Sequence, residues 1–296
     1  ERNDKNSVAY ILLNSPDTLN SLSDEMLAAL TKEFENLKND PKIRAVVLEG
    51  AGKAFCAGHN LKEMTKGRKA EDGGKAYFLD LFKRCARMMM LIQKLPQPVI
   101  AKVHGIATAA GCQLVATCDL AIAEKSTKFG VNGVNIGLFC STPMVALSRN
   151  ITRKKAFEML TTGDFISAEQ AKTLGLINRV VEIENFDLET EKLAEQIASK
   201  LGVAVKIGKE AFYKQLEMPI SEAYEYTGRV MAENMMFRQT EKGIDAFLNK
   251  RVKLITGERA THGICRGVNN QGALLLEVDG QVKPVYGGEV SLRMDE

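Results

Sequence analysis

Apolar and polar positions follow one regime up to about residue 251 and another beyond it. In the first, short continuous apolar runs stand at Val8–Leu13, 45–48, Val99–Val103 and 120–123. Runs of four to six residues without polar alternation are the pattern of strands buried on both faces. Helical spacing fills the intervals. Met26, Leu30, Phe34 and Leu37 follow Ser23, whose hydroxyl can cap a helix carrying Asp24 and Glu25 in its first turn, and Asp40-Pro41 stops it. Phe78, Leu81, Phe82, Cys85, Met88, Met89, Ile92 and Leu95 make one stripe on a long helix that ends before Pro96. The Met88-Met89-Met90 run within it reads as core filling rather than a soft-metal site. From Arg153 the pattern turns mostly helical, with a capping box at Ser167 and Gln170 closed by Gly175, and further helices over 188–201, 209–216, 221–236 and 240–250. Strands alternating with helices predict an α/β fold.

From residue 252 no helical spacing remains. Short strands are predicted over 252–256, 263–268, 273–278, 281–286 and 289–292, and Asp279-Gly280 between two apolar runs is a hairpin turn. Residues 252–296 therefore form a separate small all-β domain. Residues 1–251 form the main one, with a helical part over about 200–251.

Composition narrows the function classes. The 296 residues are 45% hydrophobic and 26% charged, which excludes a disordered chain. Forty basic against 37 acidic residues, no Trp and 6% aromatics leave no footprint for nucleic acid or an anionic membrane surface. No apolar run reaches the roughly 18 residues of a membrane span. The cysteines at 56, 85, 112, 118, 140 and 265 show no C-x-x-C spacing, so no metal site is expected and they read as reduced thiols. Their compartment is the cytoplasm of a bacterium in the first instance, or the mitochondrial matrix in a eukaryote.

Two glycine-containing loops each follow a strand: Gly52-Lys53-Ala54-Phe55-Cys56-Ala57-Gly58-His59-Asn60 and Gly105-Ile106-Ala107-Thr108-Ala109-Ala110-Gly111. Small side chains let a ligand approach the backbone, and the second loop opens a helix, where free N–H groups favour negative charge. On the residues alone, two tight connections without a ligand are the slightly favoured reading. Neither loop fits a nucleotide-binding pattern.

Together with Asn14-Ser15-Pro16-Asp17-Thr18-Leu19-Asn20-Ser21-Leu22 and the segment from Val103-His104-Gly105 to Asp119, the loops carry a resemblance to the crotonase (enoyl-CoA hydratase/isomerase) superfamily. Gly133 to Pro143 and Phe212-Tyr213-Lys214-Gln215-Leu216 are similar to its enoyl-CoA hydratase domain-containing members, those of the third mitochondrial paralogue type. The resemblance spans residues 7–251 and implies a spiral of ββα units with a C-terminal helical region used for trimerisation. It implies acyl-CoA thioester substrates, with coenzyme A as part of the substrate and no covalently bound cofactor, and a homotrimer or a dimer of trimers. It places the oxyanion-binding N–H groups at His59 and Ala110. Lys53, Ala57, Asn60, Leu61, Lys62, Gly111, Cys140, Ser141, Phe247 and Lys250 then line the CoA and acyl path.

The chain departs from the family at two positions. Hydratases of the family activate water with two glutamates, and the matching positions here are Gln113 and Gly133. An amide takes no proton at neutral pH and glycine has no side chain, so rapid hydration by that route is not expected. Restoring glutamate at both positions is expected to raise hydration if the scaffold is otherwise intact. The His59 imidazole is weighed as a base against packing on CoA or facing solvent, Cys140 as a nucleophile against a buried thiol, and His104 reads as structural. The tail, from Val252-Lys253-Leu254-Ile255 to Val290-Ser291-Leu292-Arg293, resembles the SH3-like C-terminal domain of bacterial biotin–protein ligases, whose catalytic domain has no counterpart here. A non-catalytic acyl-CoA-binding protein and a fused docking module are the rival functions.

Overall fold

The computed structural model describes residues 1–248, 250–256, 259–269, 271, 273–286 and 290–294. They form two compact units, Glu1–Met218 and Pro219–Glu296.

The first unit runs β1 (Arg2–Lys5), β2 (Val8–Leu13), α1 (Asp24–Lys38), β3 (Ala45–Gly50), α2 (Leu61–Gly67), α3 (Lys75–Lys94), β4 (Val99–Val103), β5 (Ile106–Thr108) and α4 (Ala110–Thr117). It continues through β6 (Leu120–Glu124), β7 (Lys128–Gly130), α5 (Ser141–Asn150), α6 (Arg153–Thr162), β8 (Ile166–Ser167), α7 (Ala168–Thr173), β9 (Arg179–Val181), α8 (Phe186–Ala198) and α9 (Gly202–Gln215). A large sheet has the order β1-β2-β3-β4-β6-β9, parallel except for the β1–β2 hairpin. A small sheet has the order β5-β7-β8. The chain visits the two sheets in turn: β4 then β5 then α4, β6 then β7 then α5. This is the ββα spiral of the crotonase fold that the motifs imply.

The continuous apolar runs have the environment they predict. Along neighbouring strands Val46, Leu48, Val99 and Ala101 face the main core with Leu30, Phe34 and Met88. The intervening Val47, Ile100 and Ile122 face Phe186 and Ala194 of α8. Ser23 caps α1, its hydroxyl accepting from the Met26 N–H at 3.1 Å. Both bonds of the Ser167–Gln170 capping box form, at 2.9 and 3.2 Å. The helix α4 is buried along its whole length, which explains its small, uncharged residues.

Helix α9 starts seven residues before the segment predicted from 209. Its inner face carries Lys209, the one charged residue buried among those described in this unit. The stretch that periodicity misses, 202–208, begins and ends on glycine, which weakens a helical reading.

All six cysteines are buried and free. Burial pushes the thiols of Cys56, Cys85 and Cys112 up to about 12, because a thiolate loses hydration that the apolar core does not replace. The folded protein is therefore expected to show no fast-reacting thiol toward a disulfide reagent at about pH 8, with all six cysteines reacting only in denaturant. A rapid stoichiometric phase in native buffer contradicts this burial.

The second unit holds α10 (Ile220–Met235), α11 (Arg238–Phe247) and five strands: β10 (Arg251–Thr256), β11 (Arg259–Val268), β12 (Leu274–Val278), β13 (Gln281–Val285) and β14 (Val290–Met294). The sheet order is β13-β12-β11-β10-β14, antiparallel throughout, consistent with an SH3-like tail. Asp279 and Gly280 both take positive φ, 51° and 76°, between paired Val278 and Gln281. That is the tight turn the dipeptide predicts. The core is small, built on Val252, Leu254, Cys265 and Leu276. The predicted last strand begins at Glu289, which lies outside the described residues, and the described strand starts at Val290. No helix among the described residues is long and apolar enough to cross a membrane.

Candidate functional site

The two glycine loops pack on each other, backbone against backbone. Cys56 and Ala107 form a parallel bridge, and the Thr108 N–H donates to the Cys56 carbonyl at 3.1 Å. A Cβ on Gly111 would stand 2.1 Å from the Cys56 oxygen, and one on Gly105 would stand 2.1 Å from the Lys53 oxygen. Glycine is required at both positions because the loops touch there. Gly111 thus joins the loops, and Lys53 contributes backbone while its side chain is exposed.

At this junction the chain turns sharply. Ala109 holds φ 50° and ψ −119°, a conformation that alanine rarely adopts and that stores about 1–3 kcal/mol of strain. Its own N–H is tied to the Gly130 carbonyl at 2.9 Å. The next residue, Ala110, is the first of α4, so its N–H has no intrahelical acceptor. Gly58 lies alongside: a Cβ there would be 3.1 Å from the Ala110 nitrogen. Among the described residues no backbone carbonyl takes the N–H of His59 or of Ala110. The helix dipole of α4 adds positive potential at the same point.

Three polar side-chain groups near these loops are buried without a hydrogen-bonding partner among the described residues: both imidazole nitrogens of His59, Oε1 of Gln113 and the Ser21 hydroxyl. The His59 ring packs edge-on against Phe82, with centroids 5.5 Å apart. Burial lowers its pKa below 6.5, partly offset by the Leu22 backbone. The unfolded imidazole then binds a proton that the folded one resists. Stability falls as the pH drops below about 6.5, and is fully present above it. His59→Phe is expected to flatten the unfolding midpoint between about pH 5 and 7 relative to wild type. An unchanged slope would show that the ring is already paired.

Two cavities flank the junction. One, of about 240 Å³, is lined by Asp17, Thr18, Ser21, Ala57, His59, Asn60, Leu61 and Lys62. It gathers four of the predicted path residues besides His59, and adds three from the first loop of the chain. Asn60 also caps α2, its side chain accepting from the Lys62 and Glu63 N–H groups at 3.0 and 3.3 Å. The other cavity, of about 360 Å³, is lined by Leu61, Met64, Thr65, Arg68, Phe78, Phe82 and the segment 136–138. Sequence reasoning misses most of it because no element is assigned over 61–67. The signal was the helical spacing of Leu61, Met64, Thr65 and Arg68, facing Phe78 and Phe82 one turn apart on α3.

Gly133 departs most from expectation. It is buried in a short 3-10 turn, Asn132–Ile136. A Cβ there would lie 2.3 Å from the Leu138 oxygen and 2.9 Å from the Cys140 sulfur. The position lacks a glutamate and also lacks room for any side chain. Cys140 precedes α5, with its pKa raised by burial, and Ser141 begins that helix with its hydroxyl directed to the Phe139 carbonyl at 3.4 Å. His104 is structural, with Nε2 2.8 Å from the Gly52 carbonyl. Lys250 is exposed in the second unit, and the Phe247 side chain lies outside those described.

A spiral of two sheets whose glycine loops meet at the start of a buried helix is the architecture of the crotonase class. Residues 3–256 match the enoyl-CoA hydratase/isomerase family, and the chain belongs to that family. Residues 247–293 match the biotin protein ligase C-terminal domain. The chain is 43% identical over 247 residues to the mitochondrial enoyl-CoA hydratase domain-containing protein 3 of Xenopus laevis, covering 83% of this chain and 82% of that one. Among solved structures it superposes on an enoyl-CoA hydratase of Mycobacterium smegmatis with a TM-score of 0.81 and 53% identity, over 84% of this chain and 95% of that one. On human enoyl-CoA hydratase domain-containing protein 3 the TM-score is 0.80 at 41% identity, over 84% and 96%.

Proposed function

We propose that the first unit binds acyl-CoA thioesters, holding the thioester oxygen between the N–H groups of His59 and Ala110. The observation that carries this is the pair of backbone donors without acceptors among the described residues, beside the strained Ala109 turn. Such donors stabilise an enolate-like oxyanion, at about 3 kcal/mol each. CoA follows the cavity of Ala57, Asn60, Leu61 and Lys62, and the acyl group takes the apolar cavity beside Phe82. The activity is a lyase or isomerase step on a CoA thioester, other than rapid hydration: Gln113 cannot act as a base, although its unpartnered amide oxygen can hold a water or substrate hydroxyl. The same two positions, Gln113 and Gly133, favour a second reading, acyl-CoA binding without turnover.

The working protein is a closed homotrimer or dimer of trimers in this reading. Ile220, Tyr224, Met231 and Met236 on and beside α10 are exposed, Met236 at 85%, and such patches mark interfaces. A monomer in sedimentation at micromolar concentration would exclude it. The compartment is a reducing one, bacterial cytoplasm or mitochondrial matrix. The tail serves as a docking or stabilising module.

The test is calorimetric titration with butyryl-CoA, crotonyl-CoA and free CoA, with turnover assayed in parallel. The thioesters are expected to bind more tightly than free CoA. Ala110→Pro, which removes one donor, should erase that difference while free CoA still binds. Gly58→Ala, which crowds the same nitrogen, should do likewise. If wild type binds the thioesters no better than CoA, the oxyanion assignment is wrong.

A further inference from the structure

The cavity of about 360 Å³ has nearly uniform walls, formed by Met64, Phe78, Phe82, Ile136 and Leu138. One ionised side chain opens onto it, Arg68, at the C-terminal end of α2. Its guanidinium carbon sits 5.5 Å from the centroid of the Phe78 ring. Among the described residues no carboxylate pairs with it. Of the acidic residues nearest along the chain, Glu71 makes no ion pair with it, Glu63 accepts the Asp24 N–H at 2.9 Å, and Asp72 accepts the N–H groups of Gly74 and Ala76 at 2.9 and 2.8 Å.

A guanidinium stacked on an aromatic face is weakly hydrated on that side and presents its fork of donors to a planar anion. Helix α2 begins at Leu61, which lines both cavities and lies two residues from His59. It carries the chain about 10 Å to Arg68. An acyl group entering from the His59–Ala110 junction and running along this helix thus meets apolar surface first and a cation last. An uncharged tail would cover the guanidinium without returning any hydrogen bond.

We infer that Arg68 selects a carboxylate at the far end of the acyl group, and that the preferred ligands are mono-CoA thioesters of dicarboxylic acids. This rests on the acyl-CoA reading above and deepens it to a substrate class.

The experiment compares matched pairs by calorimetry on the full chain: succinyl-CoA with butyryl-CoA, glutaryl-CoA with pentanoyl-CoA, and adipoyl-CoA with hexanoyl-CoA. Wild type is expected to prefer the carboxylated member of at least one pair by about tenfold or more. In Arg68→Gln that ratio should fall to about one, with Arg68→Lys between, because lysine keeps the charge without the fork. Arg68 is exposed, so both variants should melt with wild type, and the melting scan verifies this. Two outcomes overturn the inference alone: no pair shows a preference, or Arg68→Gln weakens both members of every pair equally, which assigns the guanidinium to the CoA phosphates. If no thioester binds better than free CoA, the acyl-CoA reading fails, and this inference falls with it.

Discussion

Lys209→Met lowers the stability of the folded chain by about 3–5 kcal/mol and the melting midpoint by roughly 6–20 °C. The ammonium donates to the Ile92 carbonyl at 2.8 Å, the Gln97 carbonyl at 2.9 Å and the Asp119 carboxylate at 2.6 Å, with the lysine side chain 6% exposed. Asp119 also takes the Val99 N–H at 2.6 Å and the Tyr213 hydroxyl at 2.7 Å. Three elements (α3, β4 and α9) and the α4–β6 connection are tied through one carboxylate and one ammonium. Removing the lysine leaves a buried charge and two carbonyls without their donor, and the loss is the uncompensated charge more than the attraction itself. Lys209→Met combined with Asp119→Asn should therefore recover much of the deficit, because the amide oxygen still accepts from Val99 and no net charge stays buried. A single variant that costs under about 1 kcal/mol, as an exposed pair does, would contradict the picture.

Restoring glutamate at 113 and 133 raises crotonyl-CoA hydration by less than tenfold, against the roughly 10²- to 10⁴-fold that a placed acid–base group supplies. The sequence alone predicts a gain if the scaffold is otherwise intact, and the crowding at 133 limits it. At 133 the Cβ meets the Leu138 carbonyl at 2.3 Å and the Cys140 sulfur at 2.9 Å. Seating a side chain requires segment 137–140 to move, and overpacking of this kind costs about 1–3 kcal/mol. Gly133→Glu is expected to lower the melting midpoint, whereas Gln113→Glu alone changes size little but buries a carboxyl that stays protonated. A double variant that melts with wild type and hydrates a hundredfold faster would show that the segment yields freely.

The sequence was most legible where one physical signal dominates. Buried parallel strands show as short, mostly aliphatic runs, so Val99–Val103 matches its observed limits despite Lys102. Ser23, Ser167 and Asp279-Gly280 carry turn and cap chemistry that leaves little choice. The donors proposed at His59 and Ala110 rest on motif alone, because a backbone N–H has no side chain for composition to register. Three classes of feature escaped. Strands β5, β7 and β8 have only two or three residues, too few for periodicity. Helix α2 begins with Leu61-Lys62-Glu63, a start that resembles loop. The steric closure around Gly133 depends on Leu138, five residues away across a turn, and no residue type encodes it.

The alternation of the chain between two sheets also orders the events of its synthesis. The N–H of Ala110 is aimed by the Ala109 turn, and that turn is held by the Gly130 carbonyl on β7. His59, which carries the second proposed donor, belongs to the preceding turn of the spiral. No nascent chain shorter than about 130 residues can then present the pair of donors, although β2, β3 and β4 can already have associated. A ribosome-tethered fragment gains the proposed site only when a second ββ pair has emerged, so that centre matures later than the core that supports it.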